Sequence, residues 1–270
     1  MESFSEATRS EAWLKAAHLL LDREDRIYNL VVEIEKPDSA TPASRAIEAR
    51  VDDFLRQHDK HPIHTVAETI FPATEYRTKG LAGVFAYAES IYPEIKSVAG
   101  NTKGTYALRL VKRLTSEGER LNPLELAIEK LRRQLKAKST KRAVYELDLS
   151  MEALDLKFYD PEQDHNNAVG GQCLSHVSLK LGPSHELYLT ALYRYQFFIQ
   201  KALGNFKGLA RLQACIANEV GIPIGPLVCH ATLAVLDDDK VGATWKRLDL
   251  IKLIKECDSI RGRTVAGRAA

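Results

Sequence analysis

The chain has 270 residues, 45% hydrophobic and 27% charged, a balance that suits a soluble globular protein with one large core or two small ones. Its 38 basic residues stand against 36 acidic ones, so bulk charge gives no argument for nucleic acid or an anionic membrane, and any anion site must be local. No apolar run reaches membrane-span length, and the acidic opening Met1-Glu2-Ser3-Phe4-Ser5-Glu6 is unlike a signal peptide, so the expectation is a cytoplasmic protein with no membrane partner.

Residues 6–29 read as a helix and 30–35 as a short strand, followed by a proline-containing loop over 36–44. Helical spacing of Ala46, Ile47, Val51, Phe54 and Leu55 predicts a second helix over 43–58. Thr65 to Pro72 forms a short apolar helix or turn with one carboxylate, Glu68, among apolar neighbours. Helices are expected over 81–95 and 105–115. Another runs from the cap Asn122, with Pro123 at its first position, to about Lys138.

The period then changes. Val144-Tyr145-Glu146-Leu147-Asp148-Leu149 alternates, and so does 173–181, where Cys173, Ser175, Val177, Leu179 and Leu181 share a face. Gly182-Pro183-Ser184 breaks the chain before a returning strand over 186–194. A helix over 205–220 ends at Gly221, a strand covers 226–236, and a helix covers 243–259. Helices mostly precede strands, which favours α+β layering, with residues 1–60 as an N-terminal helical extension bearing a short strand and 61–270 as the main domain.

The four cysteines show no CxxC spacing and no partnering histidine cluster, so neither a structural metal nor a disulfide is expected. Cys173 follows Gly170-Gly171, which permits close backbone approach, and Arg194 lies on the expected partner strand. It reads either as an ordinary half-buried thiol or as a nucleophile activated by nearby positive charge. Lys141-Arg142 close a basic run and read either as a solvated helix end or as a phosphate clamp. Asn205 reads either as an N-cap or as an amide able to pair with the N3–H and O4 edge of a uracil. The basic run lacks the interleaved aromatics of a nucleic-acid surface, so nucleic acid is not the expected partner.

From Cys173 through Tyr193-Arg194, Gly204-Asn205, Gly208-Leu209, Ala217, Glu219 and Gly221, the sequence resembles the central segment of thymidylate synthases and related pyrimidine nucleotide hydroxymethylases. The spacing matches best over 140–236. The resemblance implies a mixed β-sheet packed with helices, with one sheet face used for dimerisation and active sites shared across a homodimer. It implies transfer of a one-carbon unit, methyl or hydroxymethyl, from 5,10-methylenetetrahydrofolate to C5 of a pyrimidine nucleotide monophosphate, without a metal. Cys173 falls on the thiolate that adds to C6, Glu68 on the carboxylate that manages protons, and Tyr106 on a proton-relay tyrosine. Arg194 falls on the phosphate-binding arginine, Asn205 on the base-reading asparagine, and Lys141 and Arg142 on the pair reaching the neighbouring subunit's phosphate.

The sequence departs from that pattern at Leu174, where the family has histidine, and at Tyr195 and Phe197, where it has serine and aspartate. Residues 230–236 hold no match for its sugar-binding His-x-Tyr pair. These changes imply altered sugar and folate contacts, and they open a second class of function: a diverged nucleotide-binding or scaffold protein that keeps the fold and the dimer.

Overall fold

The computed structural model describes residues 1–97, 104–114, 120–136, 155–157, 173–238 and 243–266. In chain order its elements are β1 (Glu2–Glu6), α1 (Arg9–Asp22), β2 (Arg26–Ile34), α2 (Pro42–Gln57), α3 (Ile63–Ile70), α4 (Ala73–Ile95), α5 (Tyr106–Val111), β3 (Arg113–Leu114), β4 (Arg120–Leu121), α6 (Pro123–Lys136), β5 (Asp155–Lys157), β6 (Leu174–Leu181), β7 (Leu187–Tyr193), β8 (Gln196–Phe197), one π-helical turn (Phe198–Ala202), α7 (Leu203–Val220), β9 (Ile224–Val235) and α8 (Arg247–Ala266). They make an α+β protein, and no helix among the described residues is long and apolar enough to cross a membrane. The chain divides into two compact units, each drawn from separate stretches of sequence.

The first unit comprises Met1–Ala67, Tyr193–Ala210 and Pro226–Ala270. Its strands are of mixed direction: β1 runs parallel to β2, β2 antiparallel to β9, and β8 parallel to the end of β9. Helices α1, α2 and α8 pack on one another, burying Trp13, Leu14, Leu20, Ile47, Val51, Trp245, Leu250 and Leu253.

The start of this unit differs from the expected helix over 6–29. Thr8 and Glu11 form a capping box, in which the Thr8 hydroxyl accepts from the Glu11 amide at 3.3 Å and the Glu11 carboxylate accepts from the Thr8 amide at 3.0 Å, so the helix begins at Arg9. Left-handed backbone at Glu24 (φ 55°) and Asp25 (φ 67°) then ends it and turns the chain into β2. Residues 2–6 become an edge strand. The second helix starts as its sequence suggests, with Thr41 capping the Ser44 amide and Pro42 at the first position.

The second unit comprises Glu68–Leu192 and Arg211–Gly225. Helix α4 starts earlier than the expected 81, at Ala73, and bends at Gly80, whose φ of 65° only glycine adopts without strain. Helix α6 begins as expected: the Asn122 side chain accepts from the Glu125 amide at 3.1 Å, and Leu124, Ala127, Ile128 and Leu131 form its buried face. Strands β7, β6 and β5 lie side by side, β5 antiparallel to β6. The β6–β7 connection is closed by the Gly182 amide donating to the Glu186 carbonyl at 2.8 Å, with His185 in left-handed backbone. The alternating segment over 144–149 lies outside the described residues.

Candidate functional site

Cys173 sits in a bend directly before β6 and is partly exposed, whereas Cys215, Cys229 and Cys257 are buried. Burial pushes each of those three thiols up to about 12, so none of them is a thiolate at neutral pH. Along the strand behind Cys173 the expected alternation holds only in part: Val177 and Leu179 are fully buried and Ser175 is half-buried, but Leu174, on the opposite face, is fully buried too.

Tyr106 is the first residue of α5, a short helix capped by the Thr105 hydroxyl on the Leu108 amide at 3.1 Å. Gly104, with φ 96°, leads into that cap. The helix brings the Tyr106 hydroxyl to the head of β6, where it accepts from the Leu174 amide at 3.1 Å. Burial raises the phenol well above its ordinary range, and the neighbouring Cys173 thiol raises it further. The backbone of Leu174 and Cys173 and the Arg109 guanidinium oppose that rise. Tyr106 is therefore a neutral phenol beside the thiol at physiological pH, and Arg109 is a nearby cation that sequence reading did not single out.

Glu68 lies on α3 and forms an ion pair with Arg211 at 2.9 Å, both side chains about one-fifth exposed (21% and 19%). The carboxylate expected to manage protons thus already holds a guanidinium. Arg211 was invisible to sequence reading because it is 143 residues away and shares no local pattern with Glu68. Cys173, Tyr106 and Glu68 all belong to the second unit.

Arg194 and Asn205 belong to the first unit. Arg194 is exposed in the bend between β7 and β8, and its carbonyl accepts from the Thr232 hydroxyl at 2.6 Å. Asn205 is 6% exposed and is not an N-cap: the π-helical turn runs straight into α7, which makes Asn205 an interior helical residue. The preceding Gly204 is required by close packing, since a Cβ there would stand 2.5 Å from the Val66 side chain. Tyr195 and Phe197 pack edge to face, with ring centroids 4.9 Å apart. Where the resemblance would have an aspartate to meet the polar edge of folate, the chain therefore offers aromatic surface, which does not fit that contact. Lys141 and Arg142 lie outside the described residues.

A cavity of about 270 Å³ in the first unit is lined by Asp59, Lys60, His61, Gln200 and Lys201. Among the described residues, no group of three or more His, Cys, Asp or Glu is placed to hold a metal ion. The chain is thus an α+β protein with a partly exposed thiol held beside a half-buried tyrosine. No protein-family model matches its sequence, and no curated protein matches it either.

Proposed function

We propose that the protein is a one-carbon transferase acting at C5 of a uracil-type nucleotide monophosphate through a covalent Cys173 adduct. The observation that carries this reading is the environment of Cys173: of four thiols it alone stands outside the core, at the head of a strand, against the Tyr106 hydroxyl. In the proposed step the Cys173 thiolate bonds to C6, the C5–C6 π electrons move toward O4, and C5 becomes the nucleophile. The nucleophilic C5 picks up a proton, and loss of the hydrogen that C5 first carried, followed by expulsion of the thiolate, restores the C5–C6 double bond, so that exchange at C5 balances without a donor. Tyr106 hands a proton to and from the base near this centre. Arg194 holds the phosphate and Asn205 reads the base, with Lys141 and Arg142 supplied by the partner in a homodimer. When a donor of the methylenetetrahydrofolate class is bound, it would supply the one-carbon unit that C5 takes in place of that proton.

The test is tritium release from C5-labelled uridine and cytidine monophosphates, with and without methylenetetrahydrofolate, comparing wild type with Cys173→Ala. Release that depends on Cys173 supports the reading, and its absence from every substrate ends it. In the same assay, mixing Cys173→Ala with Arg142→Ala subunits restores activity if the sites are shared across a dimer.

One observation favours a second reading, a nucleotide-binding protein without catalysis. Glu68 is tied to Arg211, a structural use that leaves its proton-handling role to be recovered by rearrangement. Such a protein binds uridine monophosphate, gains nothing from folate and releases no tritium.

A further inference from the structure

Between Arg194 and Asn205 the chain makes the one π-helical turn among the described residues, Phe198–Ala202. A π-turn closes i→i+5 bonds and so holds one residue more than the equivalent α-turn, and such turns concentrate at functional sites. Closing it as α-helix would rotate everything after it by about 100° relative to what precedes it. The orientation of Asn205 relative to Arg194 is therefore set by whether this turn stays wide.

The turn cannot cap itself, because Phe197 at its N-cap makes no side-chain hydrogen bond. The cap comes from 38 residues away. Parallel pairing of β8 with β9 sets Phe197 opposite Val235, so two residues further on Asp237 comes level with Ile199. One Asp237 carboxylate oxygen accepts from the Ile199 amide at 2.6 Å and the other from the Gln200 amide at 3.0 Å. The arrangement is locked from both sides: the Trp13 indole N–H donates to the Phe198 carbonyl at 3.1 Å, and the Trp245 indole N–H donates to the Asp237 carbonyl.

Asp237 has no exposed surface, and burial pushes its carboxyl up to about 6. A buried carboxylate is an expensive cap, since an exposed Ser, Thr, Asp or Asn caps an ordinary helix start without that desolvation cost. What the carboxylate adds is two acceptor oxygens in one plane, matched to two successive amides.

We propose that Asp237 is a positioning residue: by capping Ile199 and Gln200 it holds the π-turn open, and so fixes Asn205 in the orientation toward the nucleotide base that Arg194's grip on the phosphate requires. This inference rests on the function proposed above. It assigns Asp237 no contact with substrate.

The test is calorimetric titration of uridine monophosphate into wild type, Asp237→Asn, Asp237→Leu and a variant with Gln200 deleted, at a temperature where circular dichroism shows each to be folded. Amide hydrogen exchange over 198–205 is read in parallel. Asp237→Leu is expected to weaken binding at least tenfold and to speed exchange at Ile199 and Gln200. Asp237→Asn, which keeps one acceptor, recovers most of the affinity, a rescue that a general loss of packing would not produce. Deleting Gln200 removes the extra residue, so the turn closes as α-helix while the helix after it keeps its direction, and affinity is expected to stay within about threefold of wild type. Should Asp237→Leu fail to fold, the same substitution combined with the Gln200 deletion decides, because the closed turn no longer needs the carboxylate and near-wild-type affinity is expected. Wild-type affinity in folded Asp237→Leu, or a tenfold loss in the folded variant that combines it with the Gln200 deletion, overturns the positioning role alone, whereas a wild-type protein that does not bind uridine monophosphate removes both the proposed function and this inference.

Discussion

The head of β6 and the π-turn at Phe198–Ala202 handle polar groups in opposite ways. At the first, a thiol remains reachable from solvent while the structure spends its hydrogen bonds on the backbone behind it, with Tyr106 holding the Leu174 amide. At the second, a carboxylate is withdrawn from solvent completely and committed to two amides. A group meant to react needs access and an adjustable protonation state, whereas a group meant to fix geometry gains from burial, because competing water is excluded and each hydrogen bond strengthens.

The largest effect that tests this contrast is alkylation. With iodoacetamide at pH 8.5, the three buried thiols near 12 are thiolate in fewer than about one molecule in a thousand and are shielded as well. Mass spectrometry of the native protein should find a single adduct, on Cys173, formed at least a hundredfold faster than any other. Comparable labelling of Cys215, Cys229 or Cys257 would erase the distinction between the reactive region and the rest.

A smaller effect is expected at Asp237. Its carboxyl is raised in the folded protein from an ordinary 3.8 to about 6, so the folded state holds the proton more tightly than the unfolded chain does. The stability this group contributes is fully present below about 3.8 and is lost as pH rises through about 6, a change on the order of 2 to 3 kcal/mol. Asp237→Asn removes that component. Urea unfolding from pH 3.5 to 7 should show the variant gaining on wild type as pH rises, and parallel pH profiles would show that the carboxylate carries no desolvation cost.

The smallest effect is at Tyr106. Tyr106→Phe leaves the part-buried Leu174 amide without this acceptor, at a cost of about 1 to 2 kcal/mol in thermal or chemical unfolding. It should also alter the pH dependence of Cys173 alkylation, because the hydroxyl beside the thiol is gone. An unchanged alkylation profile would separate Tyr106 from the chemistry of Cys173 and leave it a structural group.

Local pattern made a good part of this molecule legible. The change from helical to alternating period yields the α+β class. Helices α2 and α6 and strands β6, β7 and β9 lie close to where spacing, Asn122-Pro123, Gly182-Pro183 and Gly221 place them. The signal for the start of α1 was also present, since Thr8 and Glu11 stand at capping-box spacing, but the following apolar run hid it. Strand β1 was not legible, because Glu2-Ser3-Phe4-Ser5-Glu6 has one apolar residue and owes its conformation to pairing with Leu30–Ile34.

The candidate site divides in the same way. Cys173 and Tyr106 are visible locally, through alternation in one case and a glycine-led turn in the other. The partners that give Glu68 and the π-turn their properties are Arg211 and Asp237, 143 and 38 residues away, joined by tertiary folding that leaves no periodic trace. Asn205 was open to misreading as a cap because a π-turn feeding an α-helix has no composition of its own.

The chain has two tryptophans, and both indole N–H groups donate into the same few residues, Trp13 at Phe198 and Trp245 at Asp237. Intrinsic tryptophan emission is therefore a label-free optical gauge of this one locality. A stopped-flow trace on mixing with a nucleotide reports, in real time, whether the segment carrying Asn205 shifts, without an engineered probe.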